Sequence, residues 1–146
     1  MATRLIVNPA SANGRTLTRA QALRPAIEKI FGPLEWCVSE SAAHVTALAR
    51  DAAAQGYRHL VVAGGDGTVN FAASGLAGTS TVLAIVPLGT GNDVAQGVGL
   101  PAEPTAALEV LAAGHVRVID VGQVADRVFV CVLGVGLDTP AIHLLD

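Results

Sequence analysis

Short runs of apolar residues alternate along the chain with longer segments in which apolar residues recur at helical spacing. The short runs predict four strands, at 4–8, 34–40, 59–65 and 81–89. The longer segments predict helices, at 16–31, 41–56, from about Thr68 onward, 92–99 and 104–115. Pro25 would kink or restart the first of these helices. Strands that are apolar throughout and alternate with helices predict an α/β fold, in which helices cover both faces of a parallel sheet in three layers.

The last thirty residues follow a different pattern. Two apolar runs, at 116–124 and 127–136, come without a helix between them, which predicts an antiparallel pair. We therefore expect an α/β domain at 1–120 and the beginning of a second, β-rich domain at 121–146. Because no closing element follows, we expect the chain to be the first part of a longer protein.

The composition is that of a folded protein without a nucleic-acid or membrane signature. Of its 146 residues, 51% are apolar and only 14% are charged, which argues against disorder. The net charge of −3 and the scattered arginines give no basic field for nucleic acid. No apolar stretch reaches the roughly 18 to 20 residues that span a bilayer, and the N-terminus lacks a signal-peptide pattern, so we expect a cytoplasmic protein. Cys37 and Cys131 lie in apolar segments and are expected to be buried thiols.

Small polar or glycine-rich segments follow all four predicted strands. They are "NPASANG" after the first strand, "SES" after the second, "GGDGTVN" after the third and "PLGTGND" after the fourth. In parallel sheets of this kind, ligands bind beyond the carboxyl ends of the strands. Turns alone could account for one such segment, but four at one edge predict a ligand site.

The segment "GGDGTVN" places Gly64, Gly65 and Gly67 between a strand and a helix. Glycines can serve a tight turn there, or they can open backbone amides to a phosphate at the N-terminus of the helix. Three glycines in four positions favour the phosphate site. The chain contains neither G-x-G-x-x-G at this turn nor G-x-x-x-x-G-K-[ST], so a nucleotide would bind by another route than in those motifs.

Three carboxylates lie near the same predicted edge: Asp66 in the glycine turn, Asp93 at a helix start and Asp120 at a strand end. Asp66 could serve as a helix N-cap, although Thr68 could do so instead. Three carboxylates at one edge repel each other unless a cation joins them. Mg²⁺ bridging to phosphate oxygens, often through water, would remove the repulsion.

The motifs "GGDGTVN" and "PLGTGNDVA" together resemble those of the diacylglycerol kinase catalytic domain, a family that includes bacterial lipid kinases and sphingosine kinases. The segments "NPASANG", "SESAAHVTALA", "IDVGQV" and "FVCVLGVGLDT" are similar to further segments of that family, so the resemblance covers nearly the whole chain. It implies an N-terminal domain like those of phosphofructokinase and NAD kinase, with ATP bound between it and a C-terminal β-sandwich.

The resemblance also implies which residues surround ATP and Mg²⁺. The nucleotide-contacting positions would be Asn8, Pro9, Ala10, Ser11, Ala12, Gly14, Ser39, Gly64, Gly65, Asp66, Gly67, Thr68, Val69, Asn70, Gly89, Thr90 and Asn92. Asp66 would also be catalytic, and Asp66, Asp93 and Asp120 would form the magnesium-linked group, directly or through water. The general base would lie in the C-terminal domain, beyond the end of this chain.

The implied function is an ATP-dependent lipid kinase that phosphorylates a hydroxyl of diacylglycerol, a sphingoid base or a related lipid. This chain alone would not turn over lipid. The enzyme would be cytoplasmic and would visit the membrane surface transiently; a homodimer is compatible with it, and nucleic acid is not a partner. Two alternatives stay open: an NAD kinase-like enzyme, which would share the first glycine motif, and a nucleotide-binding regulatory module without catalysis.

Overall fold

The computed structural model of the chain describes residues 3–125 and 127–131, apart from the side chains of residues 12 and 13. The strands in this part are β1 Thr3–Val7, β2 Leu34–Val38, β3 His59–Gly64, β4 Val82–Pro87, β5 Gly122–Val124 and β6 Arg127–Phe129. The α-helices are α1 Thr16–Phe31, α2 Ala42–Ala54, α3 Asp66–Leu76, α4 Asp93–Gly97 and α5 Pro104–Ala112. A short 3₁₀ helix, Ser11–Gly14, lies between β1 and α1.

The first four strands form one parallel sheet in the order β2-β1-β3-β4. Val7 at the end of β1 is aligned with Val38 of β2 and with Ala63 of β3, so these strands end at one edge. Gly64 and Pro87 are paired at the same edge. From β1 the chain continues to β2 on one side, while β3 and β4 follow on the other, so the direction of winding reverses between β1 and β3.

Helices cover both faces of this sheet because its strand residues alternate between two apolar clusters. Ile6, Val62 and Ile85 pack on the side of α2, α3 and α4. Leu5 and Val61, their neighbours along the strands, pack on the side of α1 and α5. The predicted three-layer α/β fold with a parallel sheet is therefore confirmed.

Arg4 in β1 carries a buried charge that ties three elements together. Its side chain is only 4% exposed, and Nε donates to Glu35 Oε2 at 2.8 Å. Its Nη1 donates to Asp51 Oδ2 at 2.7 Å and to the Leu48 carbonyl at 2.9 Å, and its guanidinium lies 4.7 Å from the Tyr57 ring centre. Burial works against the charge, yet these hydrogen bonds raise the pKa of Arg4 above its usual value. The same bonds lower the pKa values of Glu35 and Asp51.

The segment between α5 and β5 differs from the sequence prediction. The strand predicted at 116–124 is limited to β5, and residues 116–121 form no strand within the described part of the chain. Val118, at 99% exposure, shows why: an apolar alternating run becomes a strand only where a partner strand and a buried face exist.

The predicted antiparallel pairing of the last two runs is confirmed, with Gly122 opposite Phe129. The second run was predicted to continue to 136, which extends beyond the described residues. Cys37 is half-buried, but Cys131 is exposed, so the expectation of a buried thiol is wrong for Cys131. Helix α1 is continuous through Pro25, which neither ends nor restarts it.

Candidate functional site

The predicted site lies where the winding of the sheet reverses, at the carboxyl ends of β1 and β3. Crevices of this kind are the usual ligand sites of open α/β sheets. Asn8 follows β1 here, and its backbone N–H donates to the Ala63 carbonyl of β3 at 3.3 Å. Gly65 follows β3 and is the N-cap residue of α3.

The loop after β1 is fastened to the first turn of α3. Asn8 Nδ2 donates to Thr68 Oγ1 at 2.9 Å, and Asn8 Oδ1 accepts from the Ala10 N–H at 3.0 Å. The Ser11 hydroxyl lies 3.5 Å from the same Thr68 oxygen, and Thr68 is only 3% exposed. The structure therefore brings Asn8, Ser11 and Thr68 together at the predicted site, where they hold the loop and the helix start in place. Pro9 follows Asn8 in the turn that leads to Ser11.

The N-terminus of α3 faces this site with its backbone amides. Within the described residues, no side chain caps the helix at Gly65. The first amides of a helix have no partner inside the helix and attract anions. Gly67, the second residue of α3, is exposed. Such amides could bind a phosphate, and the phosphate site that the glycine pattern predicts at this turn stays a prediction.

The two glycine loops, after β3 and after β4, lie in direct contact. The Leu88 N–H donates to the Gly64 carbonyl at 2.9 Å, which extends the parallel ladder by one residue. A Cβ at Gly89 would lie 2.4 Å from the Gly65 Cα, closer than any side chain tolerates. Glycine is thus required at this contact, and the two loops form one continuous backbone surface.

Asp66 and Asn92 hold the second loop in its conformation. Asp66 Oδ1 accepts from the Val94 N–H at 2.9 Å, so a carboxylate from α3 caps the start of α4. Asn92 adopts the left-handed region with φ of 59°, and its side chain bonds both backbone groups of Gly89, at 2.9 and 3.1 Å. Asn92 is 6% exposed. Its polar atoms are therefore engaged with the loop itself.

Two of the three predicted carboxylates face the same small volume. A Cβ placed on Gly91 would lie 3.2 Å from Asp66 Oδ2 and 3.5 Å from Asp93 Oδ2. Asp120, in the segment before β5, is exposed, and no group of three metal-ligating side chains exists among the described residues. Mg²⁺ commonly binds through one or two carboxylates together with substrate phosphates, and Asp66 with Asp93 fits that mode.

The remaining predicted positions fall into two groups. Ala10, Gly14 and Thr90 are exposed, whereas the Ala12 side chain lies outside the described part. Three others are engaged within the protein, and Ser39 is the first of them. Ser39 is 3% exposed, and its N–H and hydroxyl both reach the Val7 carbonyl, at 2.9 and 3.3 Å.

Val69 and Asn70 also face inward. Val69 is 2% exposed in the apolar core beneath α3. Asn70 Oδ1 accepts from the Val130 N–H at 3.1 Å, next to a contact made by Ser74. Ser74 was missed by the sequence reasoning, although its spacing of four residues from Asn70 on a helix was a signal that the two share a face.

Comparison with known proteins identifies the family. The profile of the diacylglycerol kinase catalytic domain matches residues 2–124. The chain therefore belongs to the diacylglycerol kinase catalytic-domain family, and the resemblance seen in its motifs is confirmed.

Individual relatives agree with this assignment. The chain is 34% identical to a diacylglycerol kinase of Mycobacterium tuberculosis over 122 residues, which are 83% of this chain and 40% of that protein. It is 46% identical over 84 residues to a protein of Pseudomonas putida named probable lipid kinase YegS-like, covering 56% of this chain and 28% of the other. A crystal structure of a diacylglycerol kinase from Bacillus anthracis superimposes with a TM-score of 0.77 at 29% identity, covering 88% of this chain and 45% of that one. The chain thus spans less than half the length of each of these proteins.

Proposed function

We propose that this chain is the nucleotide-binding portion of an ATP-dependent lipid kinase. The observation that carries the proposal is the contact between the two glycine loops. Asp66, at the uncapped N-terminus of α3, accepts a hydrogen bond from the Val94 N–H at the start of α4. Membership of the diacylglycerol kinase family supports the lipid kinase part of this proposal. The geometry supports the nucleotide-binding part, since amides and carboxylates at one crevice suit a phosphate chain with its cation.

In this proposal the phosphates of ATP lie against the amides of Gly65 to Thr68. Asp66 and Asp93 would hold Mg²⁺ there, and the ion would neutralise phosphate charge when bound. Asn8, Thr68 and Asn92 keep both loops rigid, so that little reorganisation is needed when the nucleotide binds. Asp120 is proposed to join the magnesium-linked group only in the longer protein. A base from the remaining part of that protein would take the proton of the lipid hydroxyl.

The longer protein is also where we place the lipid acceptor. The relatives are more than twice as long as the portion matched here, and we propose that their additional length corresponds to an acceptor domain in this protein. Within the described residues, no helix is both long and apolar enough to cross a membrane. We propose a cytoplasmic enzyme that contacts the membrane surface while its lipid is bound; a homodimer is compatible with this arrangement.

The experiment that tests the proposal uses the full-length protein, meaning a chain of the relatives' length that contains these residues. It is incubated with MgATP labelled in the γ-phosphate and, separately, with diacylglycerol, a sphingoid base and NAD. We expect label in a lipid product and none in NAD. Label in NAD alone would favour the NAD kinase alternative, and nucleotide binding with no transfer to any acceptor would favour a regulatory module.

A further inference from the structure

Two side chains on α3 hold the strand β6 by its backbone. Asn70 Oδ1 accepts from the Val130 N–H at 3.1 Å, just past the end of β6. The Ser74 hydroxyl lies 3.2 Å from the Val128 carbonyl and 2.9 Å from the Asn70 carbonyl, so it shares its proton between them. Residues four apart lie on one face of a helix, which places both side chains against the same strand.

The two contacts are matched to the spacing of an extended strand. Peptide groups along a strand point alternately to its two edges, so the Val128 carbonyl and the Val130 N–H face the same way. Asn70 and Ser74 thus bond one edge of β6 in the way that a neighbouring strand would. The Val130 side chain also packs against the core between α2, α3 and α4. The hairpin of β5 and β6 is therefore fixed on α3 by specific polar and apolar contacts.

Helix α3 begins at the glycine turn that carries Asp66, so the hairpin is anchored to the same rigid element as the candidate phosphate site. We propose that Asn70 and Ser74 are positioning residues: by holding β6 on α3, they set the position of the lipid acceptor domain of the longer protein relative to the γ-phosphate. This inference rests on the proposed function. The bond to Val130 engages the acceptor oxygen of Asn70, a residue for which the sequence also predicts a nucleotide contact. Transfer of a phosphoryl group depends on such alignment, and a displacement of about 1 Å can cost roughly a hundredfold in rate.

The test compares Asn70→Ala and Ser74→Ala with the wild type in the full-length protein. Both remove a contact to β6, so we expect kcat to fall by about 10- to 100-fold while the Kd for MgATP stays within about twofold. The Val130 N–H should exchange faster with solvent in Asn70→Ala. Ser74→Thr keeps the hydroxyl and should restore most of kcat. Gln123→Ala is the matched control, since Gln123 bonds only within its own hairpin among the described contacts, to the Ala125 carbonyl.

Three results would overturn the proposal. In the first, Asn70→Ala weakens MgATP at least tenfold with kcat unchanged, and Asn70 is then a nucleotide ligand. In the second, both alanine variants match the wild type in kcat. In the third, exchange of the Val130 N–H is the same with and without the Asn70 side chain, which would refute the contact whatever the activity. Failure of the proposed function is distinct from these, since it would appear as a wild-type protein that phosphorylates no lipid.

Discussion

Asp66 on α3 and Val94 on α4 are joined by a hydrogen bond of 2.9 Å, from the Val94 N–H to Asp66 Oδ1. The other oxygen, Oδ2, lies on the side of Gly91 and Asp93. One oxygen of this carboxylate thus caps a helix, while the other faces the volume in which we propose that a cation binds. This arrangement would let a negative residue lie in the middle of a turn that we propose binds phosphates.

Substitutions at Asp66 separate these two purposes. Asp66→Asn keeps an oxygen that can accept from Val94 but loses the charge, so we expect the free energy of unfolding to change by less than about 1 kcal/mol. Phosphoryl transfer by the full-length protein should fall by about two orders of magnitude or more. Asp66→Ala also removes the cap and should cost a further ~1 kcal/mol in urea unfolding. A near wild-type rate in Asp66→Asn would contradict the assigned role.

Asp93→Asn is the companion variant, because Asp93 faces Gly91 without making the bond to Val94. We expect it to weaken MgATP binding, measured by calorimetry, and to leave the free energy of unfolding unchanged. An equal loss of ATP affinity with and without Mg²⁺ would show that Asp93 acts on the nucleotide and not through the metal.

The contact between Gly65 and Gly89 predicts that Gly89→Ala is harmful. Its new Cβ would meet the Gly65 backbone at 2.4 Å, and the loops can relieve this only by moving apart. We expect a loss of about 1–3 kcal/mol in unfolding free energy and at least tenfold weaker MgATP binding. Gly97→Ala is the matched control, since no atom lies within 4 Å of its added Cβ and the change should be neutral or stabilising by up to ~1 kcal/mol. Equal stability of the two variants would contradict the described contact.

The ion pairs of the buried Arg4 predict a loss of stability in acid. The pKa values of Glu35 and Asp51 are lowered in the folded protein, first by hydrogen bonds from Arg4. Their stabilising contribution is therefore complete above their unfolded pKa values, about 4.3 and 3.9, and is lost as pH falls through the lower folded values. We expect Arg4→Met to be less stable at pH ~7 and to show a shallower acid limb below about pH 5, measured by urea unfolding.

Arg24→Met provides the comparison, because Arg24 forms an exposed pair with Glu28 within one helix. Exposed ion pairs contribute roughly 0–1 kcal/mol to the free energy of unfolding. The decrease in stability of Arg24→Met below about pH 5 should therefore follow that of the wild type. Parallel acid limbs for Arg4→Met and the wild type would show that the buried network does not control the response to pH.

The hydroxyl of Thr68 predicts a difference between two conservative variants. Thr68→Val keeps the shape but leaves Asn8 Nδ2 without its acceptor, which should cost about 1–3 kcal/mol in unfolding free energy. Thr68→Ser keeps the hydroxyl and should cost less, despite the lost methyl group. If the valine variant is as stable as the serine variant, the bond from Asn8 to Thr68 contributes nothing to the free energy of unfolding.

Much of the fold could be predicted from the sequence because it rests on repeated local patterns. Apolar strands such as β3, with Leu60 to Ala63 fully buried, and their alternation with helices were sufficient to predict a parallel sheet. The rule for strand ends then located the crevice between Asn8 and Gly65. The prediction of a strand at 116–121 was wrong, because apolar residues indicate burial but a strand also needs a partner strand.

Individual roles in the site could not be predicted, since they depend on contacts between distant parts of the chain. Asn92 and Asn70 belong to motifs that indicate a nucleotide, and their nucleotide contacts stay predictions; the bonds of their side chains to Gly89 and Val130 could not be read from those motifs. Asp66 was considered as a cap for its own helix, whereas it caps α4, 28 positions further along. Sequence indicates which residue types gather at the crevice, and only the folded structure shows which of them support the loops.

The most direct test of the account is the thermal stability of this chain in MgATP, in ATP with EDTA, and in NAD. A ligand that binds only the folded state stabilises it by RT ln(1 + [L]/Kd), about 2.7 kcal/mol at 100 times Kd. We predict a clear increase in Tm with MgATP, a smaller one without the metal and none with NAD, and the first increase should be lost in Asp66→Asn and Gly89→Ala. No increase with millimolar MgATP, in this chain and in the full-length protein alike, would contradict a nucleotide site between the two glycine loops.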